Sequence, residues 1–162
     1  MAKIKVEGNI KIGFIYECIF GNFKNKDSLE TTIDSKDADD ENYDYRIPLE
    51  IIKKRAVVVI GKFKGQYIVI PISSTEDKNG KKESAESRGF HIRLKNNDLP
   101  LVGKYAESKV CWAKCNLITT VDGGRLRDIY DPSSKKYVNA HEMTSDSMNA
   151  IKLGIMKIIG IS

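Results

Sequence analysis

The sequence predicts a mainly β domain, a β-rich α+β fold with one C-terminal helix. Three observations carry that reading. Apolar residues alternate with period two along several short stretches, the pattern of half-buried strands. Turn signals containing Gly bring those stretches back at hairpin distance, without the helices of a βαβ alternation. Only the C-terminal end changes to a 3.6-residue period.

The first strand is expected from Ile10 to Phe20, where Ile10, Ile12, Phe14, Tyr16, Cys18 and Phe20 share one face. Arg55 to Lys62 (RAVVVIGK) and Gln66 to Ser73 (QYIVIPIS) are apolar enough to be buried strands. Phe63, Lys64 and Gly65 connect them as a hairpin, with Gly available for positive φ. Pro71 has no N–H to give a ladder, so its strand is expected at an edge or without pairing near its end. Gly89 to Leu94 reads as a further strand and Ser108 to Val121 as a long, bent one. Asp122-Gly123-Gly124 then turns the chain into a short element, Arg125 to Tyr130. The helix, expected over 144–159, follows from the spacing of Met148, Ile151, Ile155 and Ile158, with Met156 and Ile159 beside them. Thr144, Ser145 or Asp146 can cap its start, and Gly160 can end it.

A length of 162 residues, 41% of them hydrophobic and 30% charged, suits one domain over 1–162 with a packed core. Two polar stretches interrupt it, an acidic loop at 21–48 and a second loop at 74–87. The net charge of +5 is unevenly spread. Asp27 to Asp44 carries eight acids and one base, so the other residues hold +12. A basic body with a tethered acidic segment points to polyanionic partners, and the segment is expected either to shield the basic face or to be a solvated insertion.

Apolar runs are far shorter than the ~18–20 residues that span a bilayer, and the N-terminus lacks a signal-peptide core, so no membrane and no export are expected. Three cysteines, Cys18, Cys111 and Cys115, suit a reducing cytoplasm rather than a disulfide framework. His91 and His141 are too few for a zinc site, and no Gly-rich phosphate loop is present. The expected chemistry therefore uses no metal and no cofactor.

The candidate residues suit phosphate. Arg55 opens a strand after Lys53 and Lys54, where a guanidinium at the sheet rim can grip an anion through paired donors or simply be solvated. Ser73 and Ser74 end the next strand, with hydroxyls that can bond a phosphate oxygen or cap the loop. Alternation along the late strand places Trp112, Lys114 and Asn116 on one face, an aromatic, a cation and an amide suited to single-stranded nucleic acid. Cys111, Ala113 and Cys115 take the other face, the outer two about 13 Å apart and too distant for one metal. His91, between inward Phe90 and Ile92, lies on the polar face as a candidate general base or as an ordinary surface histidine.

The order of these segments resembles the PemK/MazF-like toxins of type II toxin–antitoxin systems. The matching residues are Gly13-Phe14-Ile15, Lys53-Lys54-Arg55-Ala56-Val57-Val58-Val59 (family K-x-R-P-x-V-V) and Val69-Ile70-Pro71-Ile72-Ser73-Ser74 (family V-x-P-I-T-S). Trp112-Ala113-Lys114-Cys115-Asn116, followed by Thr120-Val121-Asp122 and Arg125-Leu126, is similar to a divergent branch. The resemblance implies a small src-homology-3-like β-barrel, commonly dimeric and neutralised by an antitoxin. It implies metal-independent cleavage of single-stranded RNA by 2′-hydroxyl attack on the adjacent phosphorus. Arg55 matches the family's phosphate-gripping arginine and Ser73 its threonine. Lys114 and Asn116 stand where PemK-like relatives carry an arginine and an aspartate. Asn116 accepts no proton, which leaves His91 as the candidate base. The alternatives are a non-catalytic RNA- or protein-binding module of the same fold, or a gyrase poison of the CcdB type.

Overall fold

A computed structural model describes residues 6–20, 54–74, 89–105 and 110–161. The chain divides into two compact units, Met1–Cys18 with Arg55–Ser162, and Ile19–Lys54. The acidic loop, its suggested shielding role, Lys53 and nearly all of the second polar loop lie outside the described residues.

The strongest local signal is realised almost residue for residue. Strands β2 (Lys54–Phe63) and β3 (Gln66–Ser73) pair antiparallel through a tight turn. Phe63 faces Gln66, so the loop is just Lys64-Gly65, with φ of 45° and 80°. Two positive φ angles define the primed turn whose twist matches a hairpin, and they place Lys64 in a region that L-residues seldom adopt. A register shift between Val59 and Gly61 adds a bulge.

Pro71 does not put β3 at an edge. On the side away from β2, β3 pairs with β6 (Thr119–Asp122) over Gln66 to Val69, and with β5 (Trp112–Lys114) at Ile72 and Ser73. The partner changes across Ile70 and Pro71, where a residue without an N–H costs the ladder least. The expected long strand Ser108 to Val121 is therefore broken. Between β5 and β6 the chain makes one 3-10 turn, Cys115–Leu117, fixed by Cys115 N–H donating to Phe90 O (2.9 Å) and Ile118 N–H donating to Cys115 O (3.2 Å). Three residues leave the edge of β3 at its proline and then return to it.

Strand β1 is shorter than expected, Phe14–Ile19, because the chain turns at Gly13, φ 85°, and leaves Ile12 exposed. It lies beside β2, and on its other side pairs with β7 (Leu126–Arg127) and β10 (His141–Glu142). A second 3-10 turn, Gly123–Arg125, joins β6 to β7, with the Asp122 carboxylate accepting from Gly124 N–H at 2.7 Å. The pairings β1–β2–β3–β6 thus return to β1 through β7, a small ring of strands in which β6 and β7 are joined by the turn and not by a ladder. Both faces of β1 are buried, Tyr16 and Cys18 on the expected side and Ile15 and Glu17 on the other. One core gathers Ile15, Ala56, Val58, Ile70, Ile72, Ala113 and Ile151. The alternate residues of the same strands, Val57, Val59 and Val69, are buried with Tyr16, Cys18, Val121 and Leu126. These line the inside of the ring. Arg125 to Tyr130 resolves into that turn, β7 and the start of β8 (Ile129–Asp131), which forms a hairpin with β9 (Lys136–Val138).

Helix α1, Ser145–Ile158, has Thr144 as its N-cap, with Oγ1 accepting from Ser147 N–H, and Gly160 at φ 77° beyond its end. It packs on β4 (His91–Arg93) and the Cys115–Leu117 turn. Ile151 is fully buried and Met148, Ile155 and Ile158 pack against the core, while Met156 and Ile159 face outward. Asp98 ties the helix to the chain after β4. Its carboxylate, 0% exposed, accepts from Lys95 N–H (2.7 Å), Thr144 N–H (3.0 Å), Thr144 Oγ1 (2.7 Å) and Ser147 Oγ (2.6 Å).

Candidate functional site

Register decides which side chains share a face. Continuing the β2–β3 register two residues past Val57↔Pro71 sets Arg55 opposite Ser73. Ser73 in turn faces Trp112, and Trp112 faces Arg93 of β4. One row therefore crosses four strands as Arg55, Ser73, Trp112 and Arg93. The next row is Val57, Pro71, Lys114 and His91, with His91 directly opposite Lys114. Side chains repeat every second residue along a strand, so both rows lie on one face, the face that lines the strand ring. Adjacent members are about 5 Å apart at Cα. Of the residues expected to be catalytic, Arg55, Ser73, Lys114 and His91, the register brings all four into one patch.

The strands that carry this patch are basic. Strands β2, β3, β4 and β5 contain no Asp or Glu, and Arg55, Lys114 and Arg93 rise from the shared face. Among the described residues, the buried Arg55 Nε has no hydrogen-bond partner. A buried guanidinium donor with no protein acceptor is costly unless a ligand completes it. Near it, burial and the Glu17 carboxylate push the Tyr105 hydroxyl well above its ordinary pKa, against the Ala56 backbone and Arg55, so it stays neutral.

His91 is 8% exposed, and its Nε2 lies 3.0 Å from Asn116 Oδ1. With Oδ1 accepting, Nε2 carries the proton and Nδ1 the lone pair. Asn116 was expected on the Trp112–Lys114 face by alternation. It instead sits in the 3-10 turn opposite the Pro71 break, and from there its amide reaches the imidazole. Two positions read differently from the sequence. Trp112 is only 5% exposed, so its ring is a floor beneath the row rather than an open stacking surface. Ser74 is exposed just past the end of β3, on the opposite face from Ser73, and Lys54 is exposed at the start of β2. Burial pushes the thiols of Cys18 and Cys115 up to about 12 and about 11, which removes them as nucleophiles.

Arg93 and Asp98 escaped the sequence reading. For Arg93 a signal existed, since the alternation that places His91 on the polar face places Arg93 there too. For Asp98 the signal was weak, because Thr144 and Ser147, which supply three of its four donors, lie close to fifty positions away in sequence.

The fold is thus a small strand-rich domain with one C-terminal helix, and strands β2 to β5 carry basic but no acidic side chains. The model for the PemK-like, MazF-like toxin of type II toxin–antitoxin systems matches residues 32–159, and the chain belongs to that family. Its members are typically endoribonucleases. The chain is 33% identical over 148 residues to the uncharacterised protein YifN of Escherichia coli K12, covering 87% of this chain and 88% of that one. It is 31% identical over 153 residues to an uncharacterised protein of Haemophilus influenzae KW20 Rd, covering 94% and 91%. Among solved structures it is similar to MazF from Deinococcus radiodurans, at 11% identity and a TM-score of 0.49 over 95% of this chain and 99% of that one.

Proposed function

We propose that this protein is an endoribonuclease toxin that cleaves single-stranded RNA without a metal, and that a cognate antitoxin protein and a second copy of the chain are its partners. The observation that carries the reading is the shared face of Arg55, Ser73, Lys114 and His91 on strands without an acid.

In this reading the scissile phosphate lies against Arg55 and Ser73, with the guanidinium fork and the hydroxyl on its non-bridging oxygens. The imidazole of His91, held by the Asn116 amide, takes the proton of the 2′-hydroxyl as that oxygen attacks phosphorus. The bond to the 5′-oxygen breaks, a 2′,3′-cyclic phosphate forms, and the leaving oxygen collects a proton from solvent to become a 5′-hydroxyl. Arg55 and Lys114 stabilise the extra charge of the pentacovalent phosphorane. Asn116, which cannot replace an aspartate as base, becomes the residue that orients the base.

The test is purified protein incubated with single-stranded RNA in excess EDTA, followed by end-group analysis. Cyclic-phosphate and 5′-hydroxyl ends are expected. Intact RNA at high protein concentration would instead make the chain a binding module.

A further inference from the structure

We propose that Arg93 is a second backbone-gripping residue, so that single-stranded RNA crosses the sheet at right angles to its strands, from Arg55 towards Arg93. This rests on the RNA reading above. Arg93 lies two residues from His91 in β4, on the same face, with Trp112 as its cross-strand partner. Three strand spacings separate it from Arg55, about 15 Å. Side chains that stand parallel from the sheet keep their guanidinium groups at about that separation, more than one phosphate spans. A strand held at Arg55 therefore meets Arg93 with a different phosphate, at least one nucleotide further on. Between the two arginines lie Ser73 and the buried Trp112, an uncharged floor with no carboxylate to repel a backbone.

Arg93 is also available. It is exposed, and no ion pair or side-chain hydrogen bond engages it among the described residues. Lys95, two positions on, is by contrast spent on Asp146 at 2.9 Å. A planar donor fork held at a fixed register position suits phosphate better than a roaming ammonium.

The experiment measures binding of 2′-O-methyl RNA, which has no free 2′-hydroxyl and is not cleaved, in mixed-sequence oligonucleotides of increasing length and across a salt series. Arg93→Ala should weaken the longer oligonucleotides several-fold and leave the shortest unchanged. Its log–log salt slope should fall by about 0.7, one phosphate contact on a single strand. Arg93→Lys should restore the slope. Lys62→Ala, which removes the same charge near the hairpin end of β2, should change neither affinity nor slope. Unaltered binding by Arg93→Ala, or an equal loss in Lys62→Ala, would overturn the crossing direction while leaving RNA binding intact. A wild-type protein that binds no RNA at any length would overturn both.

Discussion

Replacing Asp98 by Ala tests how the site's supporting strand is held. Four donors converge on one fully buried carboxylate, two from the backbone at Lys95 and Thr144 and two from the hydroxyls of Thr144 and Ser147. A hydrogen bond to a charged group contributes ~1.5–3 kcal/mol net, and each donor left unsatisfied in a buried place costs ~1–3 kcal/mol. The four share one acceptor and some regain water, so a loss of about 3–5 kcal/mol is expected, a large part of a small domain's stability. Urea denaturation at pH 7 measures it. Burial by itself would raise the Asp98 pKa, but the bonds from Ser147, Thr144 and Lys95 together hold the carboxyl below its ordinary 3.8. The folded form thus binds its proton less readily than the unfolded chain. The Asp98 contribution is complete above about pH 4 and lost as pH falls through the lower folded value. The gap between wild type and Asp98→Ala should be flat from pH 7 to about 5 and close at more acidic pH. A gap under about 1 kcal/mol, or one that widens with acid, would refute the clamp.

Arg55→Ala should lose ~10²–10³-fold in cleavage rate while folding normally, since its role is charge rather than packing; full activity would remove it from the site. His91→Gln should cost ~10²–10⁴-fold and flatten the acidic limb of the rate–pH profile, whereas Asn116→Ala should shift that limb without abolishing activity. Gly154→Ala would ordinarily strengthen a helix by ~1 kcal/mol. Here the new Cβ would sit 2.9 Å from Gly89 O and 3.0 Å from Cys115 Sγ, so a net destabilisation of ~1–2 kcal/mol is expected, seen as a lower Tm. A thiol reagent at pH 8 should leave Cys18 and Cys115 unlabelled until the protein is denatured, as judged by peptide mapping.

The sequence was most legible where structure is local. The β2–β3 hairpin depends on its own turn and alternation, and α1 on its own stripe and cap, so both stand close to their expected bounds. Long-range pairing set the rest. Trp112 looks like a surface aromatic along its strand, yet that strand lies between β3 and β4 and the residue is buried. The turn at Cys115–Leu117 required knowing that β5 leaves β3 where Pro71 faces Lys114, which only the β3 register reveals. The β8–β9 hairpin did leave a local mark, Asp131-Pro132-Ser133-Ser134, where the Asp131 carboxylate accepts from both serine amides. Its strands are too short for alternation to register.

The first strand of the ring has consequences for synthesis. On the edge away from β2, Phe14 pairs with Glu142 and Cys18 with Leu126. Loop-closure entropy must be met before such distant pairs add any stability, so these contacts come late in folding. During synthesis β1 emerges before β7 and β10, and the edge that those two strands fill stays open until they follow, while β2 can cover the other edge sooner. Prematurely terminated chains that stop before β7 can form the β2–β3 hairpin but cannot close the ring around it. An unfinished chain of that kind lacks the strand that fills the free edge of β1 beside Glu17 and Cys18.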